Sequence, residues 1–220
     1  MRRYAAVLLD VDGTLVDSND AHAHAWAETF AELDHAVDYS RLRRMIGLGG
    51  DRMIESVVGH LDLGHKKLEK IGKRRTEIFR ENWLSKVRPL VGARALVLRL
   101  RAEGYQYAIA SAARADELVP LLELADIADL CERQTTSSDV PASKPDPAAI
   151  EAALNCVSVD RTRVVMIGDT PYDIEACSGA NVDIIAVTSG GWSHDSLAGA
   201  VAVFAGPADL LARWSASPLA

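Results

Sequence analysis

Two aspartates that end the first apolar run of the chain are well placed for chemistry. Asp10 and Asp12 lie one residue apart in the segment VLLDVDGTLVD, residues 7–17, and Gly13 follows them. Because glycine favours a turn, both carboxylates are expected just beyond the end of a strand, where open parallel sheets bind ligands. Two close carboxylates repel each other unless a proton or a cation neutralises them, and Mg²⁺ suits such oxygen ligands. Taken alone, the segment is equally typical of a polar turn.

Three later segments place further polar side chains after apolar runs or in loops. They are Ser111-Ala112, Lys144-Pro145, and the pair Asp169 and Asp173. Together with the first pair they offer a carboxylate nucleophile, a second acid, a hydroxyl, a lysine and more carboxylates for a metal. This set suits phosphoryl transfer, in which a protein mainly positions groups and neutralises charge, and an aspartate can hold the phosphoryl group covalently. Each residue alone also has a structural explanation, as a strand end, a solvated loop lysine or a helix start.

The overall composition restricts the class of protein. The chain has 220 residues, of which 49% are hydrophobic and 25% charged, as is ordinary for a soluble globular protein. A formal net charge of −7 disfavours nucleic acid or an anionic membrane as the main partner. The three cysteines form no CxxC pair and are predicted to be reduced core residues. The first apolar run is too short for a signal peptide and no segment is long enough to span a membrane, which predicts a cytoplasmic location.

Short apolar runs alternate with amphipathic segments over most of the chain. Strands are predicted at residues 4–9, 105–110, 163–167 and 182–187, with a further short strand at 127–131. Helices are predicted between them. Such alternation implies right-handed crossovers and a parallel sheet covered by helices on both faces. The predicted fold class is therefore α/β, with a three-layer core.

A long segment after the first strand carries helical patterns and no convincing strand. Its apolar residues recur at helical spacing, and the last stripe, which begins at Leu68, is expected to keep the basic run ending in Arg75 on its exposed side. The segment is predicted to form a helical cap over residues 17–86. Residues 1–16 and 87–220 then form a discontinuous α/β core.

The four polar segments, taken in order, resemble the motifs of the haloacid dehalogenase (HAD) superfamily. The matching stretches are DVDGTLV at 10–16, Ser111, SKPDP at 143–147 and GDTPYD at 168–173. The resemblance covers essentially the whole chain and is closest to the phosphoglycolate phosphatase and β-phosphoglucomutase-like branch, which has a helical cap after its first strand. It implies a Rossmann-like three-layer parallel sheet core with an inserted all-helical cap domain. It also implies Mg²⁺-dependent, phosphoglycolate phosphatase-like hydrolysis of a small phosphomonoester through an aspartyl-phosphate.

The resemblance assigns the catalytic roles to the first pair of acids. Asp10 would be the nucleophile. Asp12 would protonate the leaving oxygen and then activate water, and its backbone carbonyl would also bind Mg²⁺. The dehalogenase branch lacks an acid at the position of Asp12, so its presence favours an ester whose oxygen leaving group needs a proton.

The same resemblance assigns the remaining core residues to phosphate and metal. Ser111, Ala112 and Lys144 would hold the phosphoryl oxygens, with Lys144 offsetting charge that develops during transfer. Asp169 would bind Mg²⁺ directly, and Asp173 would bind it through water or orient its ligands. With Asp10 and Asp12, these two residues complete the expected metal site.

Residues of the cap are expected to choose the substrate. His22 and Trp26 lie four residues apart on one helix face and are similar to positions in the β-phosphoglucomutase branch. The turn that contains Gly49, Gly50 and Arg52 either projects into the site or simply connects two helices. That branch carries an arginine where Gly50 aligns, which disfavours mutase activity unless Arg52 substitutes.

Two alternatives accompany the phosphatase hypothesis. One is a β-phosphoglucomutase-like sugar-phosphate mutase, which His22, Trp26 and the cap favour. The other is a phospho-acceptor signalling module, which also combines aspartates, a hydroxyl residue and a lysine on a parallel sheet but is usually shorter. The expected partner is a small phosphorylated metabolite, with no nucleic acid and no membrane. The oligomeric state is left open between a monomer and a weak dimer.

Overall fold

The computed structural model describes residues 3–59, 64–111, 113–131, 134–136 and 142–220. Its centre is a six-stranded sheet in which every neighbouring pair is parallel. The order across the sheet is β5-β4-β1-β6-β7-β8, with the strands at Ala6–Leu9 (β1), Gln106–Ala110 (β4), Gln134–Thr135 (β5), Val164–Gly168 (β6), Asp183–Val187 (β7) and Ala202–Phe204 (β8). The first strand thus lies in the middle of the sheet, between β4 and β6.

Two hydrophobic clusters cover the two faces of this sheet. Val7 and Leu9 point into one cluster, whereas Ala6 and Leu8 point into the other, as alternation along a strand requires. All four residues of β1 are buried, which explains why the strand is apolar throughout rather than alternating. The predicted α/β three-layer arrangement, with helices on both faces of a parallel sheet, is confirmed.

Nine α-helices surround the sheet or form the inserted block among the described residues. Those of the inserted block are Asn19–Ala31 (α1), Tyr39–Met45 (α2), Gly50–Val58 (α3) and His65–Ile78 (α4). Those of the core are Ala93–Ala102 (α5), Ala115–Leu124 (α6), Ala148–Leu154 (α7), Pro171–Gly179 (α8) and Pro207–Ala212 (α9). None of the helices in the described ranges is long and apolar enough to cross a membrane.

The chain segments that lead into and out of the inserted helices pair with each other as a short antiparallel ribbon. Val16–Asp17 (β2) pairs with Arg88–Pro89 (β3). The helices between them share their own hydrophobic cluster, which includes Trp26, Phe30 and Met53. The ribbon therefore brings the start and the end of the inserted block side by side. The exact limits of core and cap given above stay a prediction.

One predicted strand is wrong. Residues 127–131 form turns after α6, and the strand that borders β4 begins later, at Gln134. The amide of Ile127 donates to the carbonyl oxygen of Leu122 at the end of α6, and Ile127 is fully buried in the core cluster. This apolar run thus closes the end of a helix, a contact that often accompanies helix termini.

Candidate active site

The site lies at the carboxyl ends of adjacent strands. Asp10 directly follows β1 and Asp169 directly follows β6, and the two strands pair in register. Gly13 permits the turn that follows Asp12, because its φ of +72° is left-handed. It also lets this turn approach Asp169, since a Cβ there would lie 2.2 Å from Oδ2 of Asp169. The chain therefore folds so that both carboxylates face one cavity.

Lys144 is the central cation of this cavity. Its Nζ lies 2.6 Å from Oδ1 of Asp10 and 2.8 Å from Oδ1 of Asp173, and it also donates to the carbonyl oxygen of Ala110 at 3.2 Å. The side chain is almost completely buried. Burial alone would lower the pKa of Lys144, but the Asp10 and Asp173 carboxylates outweigh burial and hold this pKa above its usual range. Lys144 is therefore a fixed positive charge beside Asp10.

Asp10, Asp169 and Asp173 form an acidic cluster in which one carboxylate oxygen from each lies within 4.8 Å of the others. Burial, with the neighbouring carboxylates, raises the pKa of Asp10 to about 7 against the pull of Lys144. Burial and the charges of Asp10 and Asp173 also raise the pKa of Asp169 well above its ordinary value. One lysine therefore does not compensate this cluster, and a divalent cation would.

Asp12 lies outside that cluster and has its own partners. Its Oδ1 accepts hydrogen bonds from the hydroxyl of Ser18 and, at 2.8 Å, from Nε2 of His22. Burial alone would raise the pKa of Asp12, but His22 and Ser18 hold it below the usual range. Ser18 directly precedes α1, yet its side chain makes no capping bond to the helix and donates to Asp12 instead.

The start of α8 fixes the position of Asp173. Thr170 and Asp173 form a capping box, in which the hydroxyl of Thr170 accepts from the amide of Asp173 at 3.1 Å. The carboxylate of Asp173 accepts in return from the amide and the hydroxyl of Thr170. Asp173 thus both caps the helix, the structural role that its position allows, and faces Lys144.

The predicted phosphate-binding residues are only partly brought together. Lys144 lines the cavity, whereas Ser111 is buried and is not among the lining residues. The hydroxyl of Ser111 accepts from the amide of Ala113 at 3.0 Å, so it organises the loop after β4. Ala112 lies outside the described residues. The phosphate-binding roles of Ser111 and Ala112 stay predictions.

The predicted cap residues divide in the same way. His22, Trp26 and Gly50 line the cavity, so the inserted helices form one of its walls. Gly49 packs so tightly against Ser143 that a Cβ would lie 1.9 Å from the Ser143 hydroxyl. Arg52 lies outside the cavity and is exposed, with its nearest acidic partner Glu55 at 3.8 Å. Gly49 therefore allows a close contact with Ser143, and Arg52 does not line the cavity.

Three lining residues escaped sequence reasoning. Asn19 donates to Oδ2 of Asp169 at 2.9 Å. Arg75, expected on the exposed side of its helix, is buried in the cavity wall and pairs with the fully buried Glu117 at 2.6 Å. This expectation was wrong because Arg75 falls on the apolar stripe that includes Ile71 and Ile78, as helical spacing from either residue shows. A lone acid on the apolar face of α6 was the corresponding signal for Glu117.

The cavity enclosed by these residues is small. Its volume is about 50 Å³, counted as the space open to the centres of water molecules. Carboxylates and Lys144 form its floor, and His22, Trp26, Arg75 and the 46–50 turn form the opposite wall. The arrangement can hold a small anion against Lys144 and a metal ion, with Asp10 and Asp12 beside it.

Comparisons with known proteins show which family and which folds this chain is similar to. The model of the haloacid dehalogenase-like hydrolase family matches residues 7–187. A phosphoglycolate phosphatase from Rhodospirillum rubrum is 30% identical over an alignment 210 residues long, which covers 90% of this chain and 86% of that protein. A hydrolase from Pseudomonas syringae has a TM-score of 0.88 at 26% identity and covers 96% of this chain and 98% of its own. The CbbY protein from Rhodobacter sphaeroides, in complex with phosphate, has a TM-score of 0.78 at 25% identity, with 94% and 96% covered.

Proposed function

The chain belongs to the haloacid dehalogenase-like hydrolase family and is a phosphatase, and we propose that it hydrolyses a small phosphomonoester with Mg²⁺ through an aspartyl-phosphate on Asp10. The observation that carries this proposal is the contact of Lys144 with Asp10 at 2.6 Å, inside a cavity that also holds Asp12, Asp169 and Asp173. A nucleophile, an acid–base residue, a fixed cation and a set of metal-binding acids therefore share one small volume.

The acidic cluster fits a hard divalent cation. Asp10, Asp169 and Asp173 would hold Mg²⁺, and the raised pKa values of Asp10 and Asp169 express the same uncompensated negative charge. The carboxylate of Asp12 lies outside this cluster, so its proposed share in metal binding falls to its backbone carbonyl. When bound, Mg²⁺ neutralises the charge of the carboxylates and of phosphoryl oxygens, which lets an anionic nucleophile approach an anionic ester.

The residues of the chain then divide the reaction between them. An Oδ of Asp10 attacks phosphorus, the bond from phosphorus to the ester oxygen breaks, and Asp12 gives its proton to that oxygen. Water next attacks the phosphorus of the aspartyl-phosphate, Asp12 takes its proton, and inorganic phosphate leaves with the Asp10 carboxylate restored. Lys144 stays beside Asp10 and offsets charge on the transferred group.

The partners of Asp12 suit the second of these steps. His22 and Ser18 favour its ionised form, which is the form that accepts a proton from water. For the first step Asp12 must carry a proton. A phosphoryl dianion bound next to it raises the pKa of Asp12, because like charges disfavour the ionised form. The substrate itself thus prepares the acid that its leaving group needs.

Phosphate release tests this function. Wild type with MgCl₂ is expected to release p-nitrophenol from p-nitrophenyl phosphate, and neither wild type in EDTA nor Asp10→Asn should do so. The name of the Rhodospirillum rubrum relative makes 2-phosphoglycolate the first natural ester to assay. Equal rates for wild type and Asp10→Asn would reject the proposal.

A sugar-phosphate mutase is the second candidate, because His22 and Trp26 line the cavity as that hypothesis requires. The position of Arg52 weakens it, since this arginine does not reach the cavity to replace the one expected near Gly50. Isomerisation of glucose 1-phosphate faster than its hydrolysis would favour the mutase. A phospho-acceptor module receives no support, because the chain belongs to a hydrolase family.

A further inference from the structure

We infer that Glu117 is a positioning residue that also sets substrate preference. It holds Arg75 in the cavity wall and cancels its charge, so the leaving-group side of the site favours a neutral, hydroxyl-bearing group over a second anion. This inference rests on the proposed phosphatase function and names the class of ester that the site prefers.

Glu117 joins the sheet core to the inserted helices. It lies in the first turn of α6 and is completely buried. Its Oε2 accepts from Nη1 of Arg75 at 2.6 Å, and its Oε1 accepts from the hydroxyl of Thr76. Both partners belong to α4. A buried carboxylate is tolerated only when it is paired and hydrogen-bonded, so these contacts hold α4 and its guanidinium in place.

Arg75 in turn contacts two other residues of the cavity wall, His22 and Trp26. The same Nη1 lies 3.2 Å from Nδ1 of His22, and the guanidinium carbon lies 5.1 Å from the centre of the Trp26 ring. The Nε of Arg75 is buried and makes no hydrogen bond within the described structure. A buried donor without an acceptor is unfavourable, and an oxygen atom of a bound substrate would supply the missing acceptor.

The charges around the cavity determine whether the substrate oxygen near Arg75 belongs to an anionic or a neutral group. Among the described residues that line it, the lysine and arginine side chains are Lys144 and Arg75. Lys144 lies between Asp10 and Asp173, and Arg75 is paired with Glu117. The acids of the same lining are Asp10, Asp12, Glu117, Asp169 and Asp173. Lys144 and a metal ion would balance the charge of the phosphoryl group, and Glu117 balances the charge of Arg75. Neither of these two described cations is therefore available to bind a second anion.

A second anion would also lie close to Glu117. Like charges repel strongly where water is excluded, so a carboxylate on the leaving group is disfavoured there. A hydroxyl group instead can accept from Arg75 and donate to a carboxylate. The inference therefore separates this chain from the Rhodospirillum rubrum relative, which is named for phosphoglycolate.

Two esters of nearly equal size test the inference. 2-Phosphoglycolate ends in a carboxylate, whereas 2-hydroxyethyl phosphate ends in a hydroxyl. Wild type with Mg²⁺ is expected to show a kcat/KM about tenfold higher for 2-hydroxyethyl phosphate. In Glu117→Gln the amide keeps a hydrogen-bond acceptor for Arg75 but removes the charge, so the ratio should move about tenfold toward 2-phosphoglycolate, mainly through KM. Both ratios are measured on folded, active enzyme and do not depend on its amount.

Control variants separate this effect from a loss of folding. Glu32→Gln removes a carboxylate from the exposed pair with Arg74, at 2.7 Å, and should leave the ratio unchanged. Arg75→Gln should move the ratio in the opposite direction, and it replaces Glu117→Gln if that variant does not fold. A wild-type preference for 2-phosphoglycolate, or equal ratios in wild type and the variant that folds, would overturn the inference alone. Failure to hydrolyse either ester would overturn the proposed function and this inference together.

Discussion

Nε2 of His22, on the first inserted helix, lies 2.8 Å from Oδ1 of Asp12, in the loop that follows the central strand. Nδ1 of the same ring lies 3.2 Å from Nη1 of Arg75, which is always a donor. His22 therefore accepts on Nδ1 and donates from Nε2, so the inserted helices orient Asp12, the proposed acid–base residue.

Replacing His22 tests this contact. In His22→Asn the pKa of Asp12 should rise, because the residue that most strongly lowers it is removed. Asp12 must be ionised to take a proton from water, so the acidic limb of the kcat–pH profile should move to higher pH. We expect kcat near neutral pH to fall about 10- to 100-fold. His24→Asn is the matched control on the same helix, since His24 stacks on Trp83 instead; an unchanged profile in His22→Asn would contradict the assigned contact.

The pKa of Asp10 predicts how Mg²⁺ stabilises the fold. Asp10 has a pKa of about 7 in the folded protein against 3.8 as a free side chain. Between these values the folded state binds more protons than the unfolded state, so stability without metal should fall as the pH rises through this window. The proposed Mg²⁺ would bind the ionised carboxylate of Asp10, so the increase in Tm that it causes should be larger at pH 8 than at pH 5.5. Circular dichroism melts at both pH values measure this, and equal increases would count against Asp10 as a metal ligand.

Removing the buried lysine should cost stability as well as activity. In Lys144→Met the carboxylates of Asp10 and Asp173 lose their shared partner, and breaking a buried ion pair costs about 3–5 kcal/mol. Because Asp10 can take up a proton instead, the free energy of unfolding, measured with urea at pH 7, should fall by about 3 kcal/mol. Lys73→Met, which breaks only an exposed pair with Glu69, should change stability by less than about 1 kcal/mol. A similarly small change in Lys144→Met would contradict a buried ion pair between Lys144 and the two carboxylates.

Gly13 should tolerate no side chain. In Gly13→Ala the new Cβ would approach Oδ2 of Asp169 to 2.2 Å in a left-handed backbone conformation. We expect a loss of about 2 kcal/mol in urea unfolding and a lower kcat, since Asp169 or the turn must move. Gly72→Ala is the control within α4, where an added Cβ would meet nothing within 4 Å apart from the backbone of its own helix, and it should raise stability by about 0.5–1 kcal/mol. Equal effects of the two changes would be inconsistent with the close approach at Gly13.

Site residues that directly follow a strand or lie in a short motif loop could be predicted from the sequence. Asp10, Lys144 and Asp169 follow strands or lie in motif loops, and the parallel sheet brings them together. Contacts between the inserted helices and the core were harder to predict, because they depend on tertiary packing. Arg75 is one of three consecutive basic residues, and although helical spacing places it on the apolar stripe of α4, only the tertiary packing shows that it pairs with Glu117. The apolar run at 127–131 was likewise ambiguous, since burial alone does not separate a strand from a helix end.

Trapping the phosphorylated residue tests the central claim most directly. Wild type mixed with substrate and Mg²⁺ is quenched in acid within milliseconds, treated with borohydride to reduce any acyl phosphate to an alcohol, and digested for peptide mass mapping. A reduced side chain is expected at residue 10 in wild type and none in Asp10→Asn. Reduction at another carboxylate, or phosphate on Ser111 with residue 10 unmodified, would contradict it.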